Sequence, residues 1–582
     1  MKYTFLIAFL FLTFLPALAH GEIILPGEFT VTANRSQPDE GIERAFDQNP
    51  ETLWHTPWND PGNYPFQVEV TFKKPEMVEK VWYLPRQRGV NGIIRRYELF
   101  VKKESADEWV KVRSSVLLPT HDAQFITLEP TLCTALRLDV LEGVGGFASA
   151  AEFLIFRQDQ DSTFSGVLKI SEEFIKKKGV KVRVVQRPSA IIERDRRGGG
   201  FEWSDLQPTG LAVKKGVTFV VWLDADPTDP LPLLALSKSE QEASITLAPG
   251  QNVLVAPFDG VLYVKNPFDK NEQKNTPKIR IWGAEPIPWF QLGKTDEAQW
   301  REMLDQENPV GLAELSSRHI LMTFSVENVK KYVDSPAKLL EEYEYLMDLY
   351  AKVMGFDEES DLPEDQISVH ARPQCPMRMV EVDRGHMFAT SGYTGYHHNS
   401  VEPVLNPEKF LSDGWGPWHE FGHEHQQDQY EFEGMTEVTV NIFSLEMQTS
   451  LGHTARIDTP EKKAKLKEYF EKPDRDYRAE KDVFMQLALF WQLRLAFGPD
   501  FYPRLHREYR EMPMPETDAE KIQTFIFQAS KISGRNLEPF FEAWGLKADP
   551  KTLEKIRKFR KLEKPIWLNF EFSDLKSNVL PD

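Results

Sequence analysis

The sequence has little cysteine: Cys133 and Cys375 are the only two in 582 residues. Because they lie far apart and no CxxC pair occurs, a disulfide framework and a metal site built from thiolates are both excluded. We expect both to be small buried hydrophobic residues. The chain also lacks short-period repeats, heptad runs and low-complexity tracts.

Positive charge is in deficit as well. Lysine and arginine total 70 against 89 aspartates and glutamates, which gives a net charge of -19 and an isoelectric point near 5.3. Such a chain repels nucleic acid and anionic membrane surfaces on average, so we expect no nucleic-acid partner. Two basic stretches, 86–96 (RQRGVNGIIRR) and 194–197 (RDRR), are either solvated loop arginines or contacts for an acidic ligand.

The first residues carry an apolar run, MKYTFLIAFLFLTFLPALAHGE, that ends in Ala17-Leu18-Ala19. This pattern is typical of a signal peptide at 1–19 with cleavage after Ala19, and the run is short for a membrane span. We therefore expect a secreted or exported protein, in the periplasm or at the cell surface, and not an integral membrane protein. An uncleaved anchor is the alternative.

The length suffices for about four domains of about 150 residues, so one compact core is excluded. Between 33 and 158, stretches such as FQVEVTF and YELFVKK alternate apolar and polar residues between turn residues, which predicts an antiparallel sheet. A second strand-rich stretch contains VKVRVVQ and GVTFVVWL. From about residue 277 the spacing becomes helical, as in 335–355. We predict two N-terminal β-sandwich domains followed by a mainly α-helical domain.

Three stretches of the first β-rich region, 45–56 (AFDQNPETLWHT), 89–101 (GVNGIIRRYELFV) and 149–156 (SAAEFLIF), resemble the discoidin, or factor 5/8 type C, family. The resemblance implies a module at 22–158. In its carbohydrate-binding members a calcium ion holds a loop, and Asp47 and Glu152 match the carboxylates involved. An aspartate in a surface turn and a tryptophan in the core are the simpler alternatives. The candidates for sugar contact are Trp54, His55, Trp58 and Arg88.

Four ionisable side chains lie within six residues of the stretch 414–427, GWGPWHEFGHEHQQ. On a helix His419 and His423 stack on one face and can present ring nitrogens to one ion at about 2.0 to 2.1 Å. Glu420 points to the edge of that face, where it can accept a proton from a metal-bound water. The alternative is a solvated charged helix, but the surrounding glycines and tryptophans make a poor solvated face. The spacing therefore predicts an HExxH zinc site.

A catalytic zinc ion needs a third protein ligand and an open position for water. The extended HExxHxxGxxH pattern is absent, because Gln426 and Gln429 occupy its glycine and its last histidine. A later glutamate is the alternative. The residues alone leave four candidates: Glu431, Glu433, Glu437 and Glu446.

The stretch GWGPWHEFGHEHQ, followed by TEVTVNIFSLEMQ, resembles the peptidase M60 family, also described as enhancin-like or mucin-degrading gluzincins. Similar stretches extend over about 165–547. The resemblance implies a helix over the TEVTVNI stretch with Thr436 as its N-cap, whereas the alternation of 436–443 alone predicts a strand. The zinc ligands that it implies are His419, His423 and Glu437, with Glu420 as the general base.

The same resemblance divides the rest of the chain into a β-sandwich domain at 162–270 and a catalytic domain at 275–582. Tyr393 or Tyr396, in a glycine-containing loop, is a candidate donor to the oxyanion that forms during peptide hydrolysis. The chain reads Gly-Tyr-Thr at 392–394, where the family form is Gly-Tyr-Pro. The oxyanion donor is therefore the weakest of the assignments that the resemblance implies.

These observations predict an exported zinc endopeptidase. The resemblance implies that its substrates are O-glycosylated proteins such as mucins, and a sugar-binding module would raise the effective concentration of the enzyme at a dense glycan surface. Two alternatives stay open: a secreted metallopeptidase indifferent to glycans, and a non-enzymatic glycan-binding adhesin. The intact HExxH motif argues against the adhesin.

Overall fold

A computed structural model describes residues 23–60, 62–103, 108–158, 172–226, 229–268, 276–357, 368–576 and 579–580. The signal peptide expected at 1–19 lies outside these ranges. The described residues divide into two compact units. The first is drawn from Met1–Ile192, Asp205–Pro288 and Gln306–Leu312, and the second from Glu193–Ser204, Trp289–Asp305 and Ala313–Asp582. Within the described ranges, no helix combines the length and the apolar character that crossing a membrane requires.

The first unit begins with a seven-stranded antiparallel sheet. Apolar residues at every second position, such as Val68, Val70 and Phe72, face its core, and Cys133 is buried there as expected. The two longest strands shift register between Thr71 and Glu76, where bulges let them bend around the core. In order of pairing the strands are Ile23–Ile24, Glu152–Arg157, Phe66–Leu84, Gln124–Gly143, Ile94–Lys102 and Trp109–Val116, with Phe29–Ala33 also paired to Phe66–Leu84. A short pair joins Trp54–His55 to Ser149–Ala150.

The rest of the first unit holds two more sheets that bury one common core, with Val221 and Leu262 among its members. The four-stranded sheet has the order Val180–Val182, Lys278–Trp282, Thr218–Asp224 and Gly250–Val255. The five-stranded sheet has the order Gln241–Thr246, Leu233–Lys238, Gly260–Lys265, Gln207–Val213 and Glu285–Pro286. A parallel pair joins Arg187–Pro188 to Pro267–Phe268.

The second unit contains a six-stranded sheet that the sequence analysis did not predict. Its order is Trp289–Gln291, Leu312–Ser316, Ile320–Ser325, Met377–Val382, Tyr393–His397 and Met387–Thr390. The last strand is an edge strand and runs antiparallel to its neighbour. The central strands are buried on both faces, so they lack the alternation that marks a half-exposed strand. The mainly α-helical description of this region is therefore incomplete.

Helices make up most of the remaining second unit. The helix over 336–353 is confirmed together with its start, since the Ser335 side chain accepts a hydrogen bond from the Lys338 N–H. The α-helices among the described residues are Glu172–Lys178, Ala190–Arg197, Glu297–Asp305, Val326–Tyr332, Pro336–Val353, Glu402–Leu405, Pro407–Asp413, Trp415–His423, Thr436–Ser450, Pro460–Glu471, Val483–Phe497, Phe501–Arg510, Asp518–Ser533, Glu538–Trp544 and Pro550–Ile556.

Two of these helices position the candidate site: Trp415–His423, here the histidine helix, and Thr436–Ser450, here the glutamate helix. The strand that alternation predicts over 436–443 is wrong. Every residue from Val438 to Met447 is buried, and a helix surrounded by protein on all sides shows no amphipathic period. Thr436 is the first helical residue and not the N-cap, which is Met435.

Gly422 explains why these two helices can pack closely. A Cβ atom placed on Gly422 would lie 2.8 Å from the backbone oxygen of Val440, a distance that real side chains do not adopt. The motif glycine between the two histidines therefore lets the backbones meet without an intervening side chain. This contact brings the first turn of the glutamate helix within reach of both histidines.

Candidate metal centre

The two histidines and one glutamate converge where the histidine and glutamate helices meet. Nε2 of His419 lies 3.1 Å from Oε2 of Glu437 and 3.1 Å from Nε2 of His423, and His423 Nε2 lies 3.7 Å from Glu437 Oε1. Ligand atoms about 2.0 to 2.1 Å from a tetrahedral ion lie roughly 3.3 Å from one another. The three side chains thus have the spacing of one face of a zinc tetrahedron, and they can hold a metal ion.

The other ring nitrogen of each histidine has its own partner. His419 Nδ1 lies 2.8 Å from Asn441 Oδ1, and His423 Nδ1 lies 2.6 Å from Gln426 Oε1. Each amide is held in turn: Asn441 donates to the Glu437 carbonyl, and Gln426 donates to the glutamate helix at Thr436 O and Thr439 Oγ1. Because each amide oxygen accepts a hydrogen bond from Nδ1–H, the proton stays on Nδ1 and the Nε2 lone pair is left to face the ion.

The acid–base groups of the centre respond to one another. Burial alone would lower the pKa of His419, but its hydrogen bond to Glu437 and the nearby Glu420 raise that pKa. The hydrogen bonds from His419 and His423 lower the pKa of Glu437. Glu437 is therefore a carboxylate at neutral pH, which is the form that binds a metal ion.

Glu420 lies beside the three ligand side chains and next to the edge strand Met387–Thr390. It is buried, and its carboxylate accepts a hydrogen bond from the backbone N–H of Ala389 on that strand. Burial raises the pKa of Glu420, and the two neighbouring histidines oppose the shift. A carboxylate with a raised pKa at this place is suited to accept and return a proton.

The other three glutamates proposed as third ligand have different partners. Glu446 is buried in an ion pair with Arg494. Glu431 accepts a hydrogen bond from Thr436, and Glu433 lies 3.5 Å from Arg478. Among the candidates that the residues left open, Glu437 is the one that meets both histidines.

Tyr393 and Tyr396 lie on the strand Tyr393–His397 and not in a loop. Tyr396 is completely buried, close enough to Glu420 that this carboxylate helps raise its pKa. Tyr393 is half-buried, and its ring contacts Phe388 edge-on at 6.1 Å. Of the two, Tyr393 has the exposure that contact with a substrate requires.

In the first unit, Glu152 and Asp47 are neighbours. Glu152 is buried, close to the backbone N–H groups of Gln48, Asn49 and Phe153. Burial and the Asp47 carboxylate together raise the pKa of Glu152 to about 8. Asp47 accepts hydrogen bonds from the Asn49 N–H and the Thr52 hydroxyl. A buried carboxylate beside a second carboxylate is costly to ionise, and a hard cation would offset that cost.

The four residues expected to contact sugar differ in their exposure to solvent. Trp54 has no exposed surface and donates its indole N–H to Arg35 O and Ser36 Oγ, so the prediction that it stacks on a ligand is wrong. His55 is also buried, whereas Trp58 and Arg88 are exposed.

The surroundings of His55 contain polar and aromatic groups that the sequence analysis did not select. The His55 ring lies 5.4 Å from the half-exposed ring of Phe147. Arg86 donates to the backbone oxygen of Asn91 and is close enough to lower the pKa of His55. Burial is the main cause of that lowered pKa. His55, Arg86 and Phe147 therefore bring an imidazole, a guanidinium and an aromatic ring to one place, and of these Arg86 and Phe147 are partly exposed.

Comparison with known families agrees with both parts of this description. Residues 283–545 match the sequence profile of the peptidase M60, enhancin and enhancin-like, family. Residues 30–153 match the F5/8 type C domain. The chain therefore contains a peptidase M60 domain. The resemblance drawn from the HExxH and TEVTVNI stretches, and the one drawn for the N-terminal module, are both confirmed.

Relatives of this M60 chain include solved structures and one group of curated proteins. A conserved protein of unknown function from Bacillus anthracis str. Ames, solved as a mutant, is 33% identical with a TM-score of 0.61, over 67% of this chain and 80% of that chain. The M60 catalytic domain of ZmpC from Clostridium perfringens, solved with the sialyl T antigen, shares the fold at 20% identity and a TM-score of 0.59, over 69% of this chain and 84% of that one.

Human TRPM8 channel-associated factor 2 is 31% identical over 301 residues, which is 50% of this chain but 30% of that protein. The chain therefore spans less than a third of the length of the curated relatives it matches. The M60 family match supports a metallopeptidase, while the activity of these longer relatives cannot be carried over from such partial coverage.

Two parts of the M60 centre were missed from the sequence. Gln426 was noted only as the residue that breaks the HExxHxxGxxH pattern, and Asn441 was noted only within the family stretch. Asn441 lies four residues after Glu437, one turn along the glutamate helix, which is a usable signal. Gln426 lies beyond the end of the histidine helix, where helical spacing gives no such signal. The segment Glu193–Ser204 also belongs to the second unit, although it lies within the range 162–270 assigned to a separate β-rich domain.

Proposed function

We propose that this protein is an exported zinc metalloendopeptidase that hydrolyses peptide bonds in O-glycosylated, mucin-type glycoproteins. The observation that carries the proposal is the convergence of His419, His423 and Glu437 at zinc-ligand spacing, with Glu420 beside them. The half-exposed side chain of Glu437 leaves one side of the centre open to solvent, as a catalytic site requires.

The mechanism follows from what each side chain can do. A zinc ion bound there supplies Lewis acidity, which polarises a carbonyl group and acidifies water. Glu420 accepts the proton of the attacking water at a carboxylate oxygen and passes it to the leaving amine. The Ala389 N–H holds the Glu420 carboxylate in place for both transfers. Tyr393 is the proposed hydrogen-bond donor to the oxygen that becomes negatively charged.

The edge strand Met387–Thr390 supports peptide binding. It pairs on one side with Tyr393–His397, and all four of its residues are partly exposed. An extended peptide can add to such an edge through backbone hydrogen bonds. Since Ala389 on this strand contacts Glu420, a peptide bound there would pass beside the general base.

The glycan preference rests on the N-terminal module and on the relatives. We propose that His55, Arg86 and Phe147 contact sugar, with exposed Trp58 and Arg88 at the margin. Asp47 and Glu152 are proposed to hold a calcium ion that stabilises the same module, because Glu152 is a buried carboxylate beside a second one. The fold shared with the ZmpC domain, solved with the sialyl T antigen, is consistent with an O-glycan substrate.

We also propose the architecture that this activity needs: a signal peptide at 1–19, β-sandwich modules at 22–158 and 162–270, and the catalytic domain at 275–582. The two facing sheets with one core in the second β-rich region support the second sandwich. The apolar leader that ends in Ala17-Leu18-Ala19 supports export.

The test is cleavage of a mucin-type glycoprotein, followed by mass spectrometry of the fragments. We expect fragments from the glycosylated protein, none from the same protein after deglycosylation, and none in the presence of a zinc chelator. Glu420→Gln should bind zinc with the wild-type stoichiometry and lose at least about 100-fold in rate. Equal cleavage of both glycoforms would favour the glycan-indifferent peptidase.

The second candidate is a non-enzymatic binding protein. The curated relatives are named for association with a channel and not for proteolysis. These names favour a binding role as the alternative to be tested. An inactive wild-type protein that binds the glycoprotein and retains one zinc ion would support it.

A further inference from the structure

The segment 197–203, Arg-Gly-Gly-Gly-Phe-Glu-Trp, packs against the end of the histidine helix, and we call it the strap. It lies outside the part of the chain that matches the M60 profile, 283–545. Its first residue is 227 positions before Glu424, the helix C-cap, yet the two are in direct contact. Both belong to the second unit.

Arg197 makes the firmest contacts of the strap. Its guanidinium is buried, lies 4.9 Å from the Trp203 ring, and donates to the backbone oxygens of Glu424 and Phe201. Trp203 donates its indole N–H to the same Glu424 oxygen at 3.3 Å. Two donors on one C-terminal carbonyl satisfy a group that a helix end otherwise leaves unpaired. These contacts fix the residue that follows His423.

The three glycines let the strap lie flat against residues 426–429. Gly198, Gly199 and Gly200 all have positive φ angles of 90°, 117° and 74°. A Cβ atom on Gly198 would come within 2.6 Å of Gln429, and one on Gly199 would overlap the Asp428 carboxylate. The sequence needs glycine here for two reasons, because both the backbone conformation and the close approach exclude a side chain.

The strap reaches the metal ligands through a short chain of contacts. Gln427 donates to Arg197 O, and the Asp428 N–H donates to Gly198 O, so the strap holds the backbone on the C-terminal side of Gln426. Gln426 in turn accepts from His423 Nδ1. The Phe201 ring also lies 6.5 Å from the His423 ring, edge-on.

We propose that the strap is a positioning element of the zinc site, which sets the orientation of His423 through the backbone of 424–428. The catalytic unit therefore includes residues 193–204, far upstream of the region that carries the HExxH motif. This inference rests on the proposed zinc site. It assigns a function to the three glycines that follow the basic stretch 194–197.

The test compares two glycine substitutions in the full-length protein. Gly199→Ala should raise the zinc dissociation constant about 10- to 100-fold, measured by competition with a chromophoric chelator, because loss of support behind a histidine ligand weakens metal binding by this amount. The matched control is Gly293→Ala. Gly293 has a similar left-handed backbone, φ 76°, but nothing lies within 4 Å of an added Cβ, and zinc affinity should stay within about twofold of the wild type.

Three further measurements make the result specific. Saturating zinc should restore the kcat of Gly199→Ala, and circular dichroism of its metal-free form should show that the chain is folded. Arg197→Lys, which keeps the charge but loses the paired donors, should weaken zinc binding in the same direction. Wild-type zinc affinity in both Gly199→Ala and Arg197→Lys would overturn the positioning role. A wild-type protein that binds no zinc would instead overturn the proposed function.

Discussion

The orientation of each metal-facing imidazole is set by one amide side chain. His423 and His419 differ in their neighbours but share this arrangement, with Gln426 behind one ring and Asn441 behind the other. An imidazole without such a partner can rotate or bind its proton on the wrong nitrogen. The affinity for the ion therefore depends on residues that never touch it.

Replacing Gln426 with leucine tests this dependence. Gln426→Leu keeps the approximate volume but removes the acceptor at His423 Nδ1, so the zinc dissociation constant should rise about 10- to 100-fold. Titration against a chelator measures it. Gln528 is the matched control, since it is another buried glutamine of the second unit, on the helix Asp518–Ser533. If Gln426→Leu and Gln528→Leu both leave zinc affinity unchanged, the amide does not orient the ring.

The packing of whole helices against the six-stranded sheet is supported by a different carboxylate. Glu344 on the helix Pro336–Val353 accepts hydrogen bonds from the Ser317 hydroxyl, the His319 backbone N–H at 2.8 Å and the His319 ring at 2.6 Å. Burial alone would raise the pKa of Glu344, but these hydrogen bonds outweigh it and lower the pKa to about 2. The helix is thereby tied to the turn between the strands Leu312–Ser316 and Ile320–Ser325.

This pKa shift predicts how stability changes with pH. An acid with a lower pKa in the folded protein stabilises the fold while it is ionised, so the contribution is complete above the ordinary value of 4.5 and is lost as the pH falls towards about 2. We expect Glu344→Gln to lower the free energy of unfolding by on the order of 2 kcal/mol at pH 7. In urea titrations, the difference in free energy of unfolding between Glu344→Gln and the wild type should decrease from pH 5 to pH 3.

The exposed Glu341 of the same helix provides the control. Glu341→Gln should not differ from the wild type by more than about 0.5 kcal/mol at any pH in this range. If the difference in free energy of unfolding between Glu344→Gln and the wild type stays constant from pH 7 to pH 3, the lowered pKa of Glu344 does not contribute to stability.

These elements also show which parts of the fold the sequence could predict. The histidine helix is determined locally, because two histidines one turn apart and a first-turn proline all favour the same structure. The glutamate helix and the central strands are buried on all sides, so the contrast between apolar and polar faces that reveals an element is missing. The contacts of the strap are harder still to predict. Nothing in three consecutive glycines identifies the residues that they pack against more than 200 positions later.

Within the first unit, the F5/8 type C module is joined to the neighbouring β-rich region by a buried ion cluster. Lys265 on the five-stranded sheet lies 2.9 Å from Asp122 of the module and 2.6 Å from Glu242. Ser189 donates to the Pro119 carbonyl, and Ile191 packs on Val90 and Ile93. The module is therefore docked on its neighbour and not held by a linker alone.

Without the buried ammonium group, the F5/8 module should unfold at a lower temperature than the neighbouring β-rich region. Lys265→Met leaves Asp122 and Glu242 without their cation, and a broken buried ion pair costs on the order of 3 kcal/mol. We expect an early calorimetric transition of the F5/8 module that the wild type lacks. The control is Lys238→Met, whose partner Asp259 is 3.8 Å away, with both side chains more than 40% exposed, so its melting profile should match the wild type. Identical profiles for both variants would show that the ion cluster does not hold the module in place.

The strap has a consequence for the order in which the protein is made. A ribosome synthesises residues 197–203 more than 200 residues before it reaches Glu424, and the two must meet before the end of the histidine helix is held. The proposed centre would then stay incomplete until Glu437 has also emerged and this distant pair has met, and contacts so far apart in sequence form slowly. A chain that ended before Glu437 would carry two histidines without their third partner.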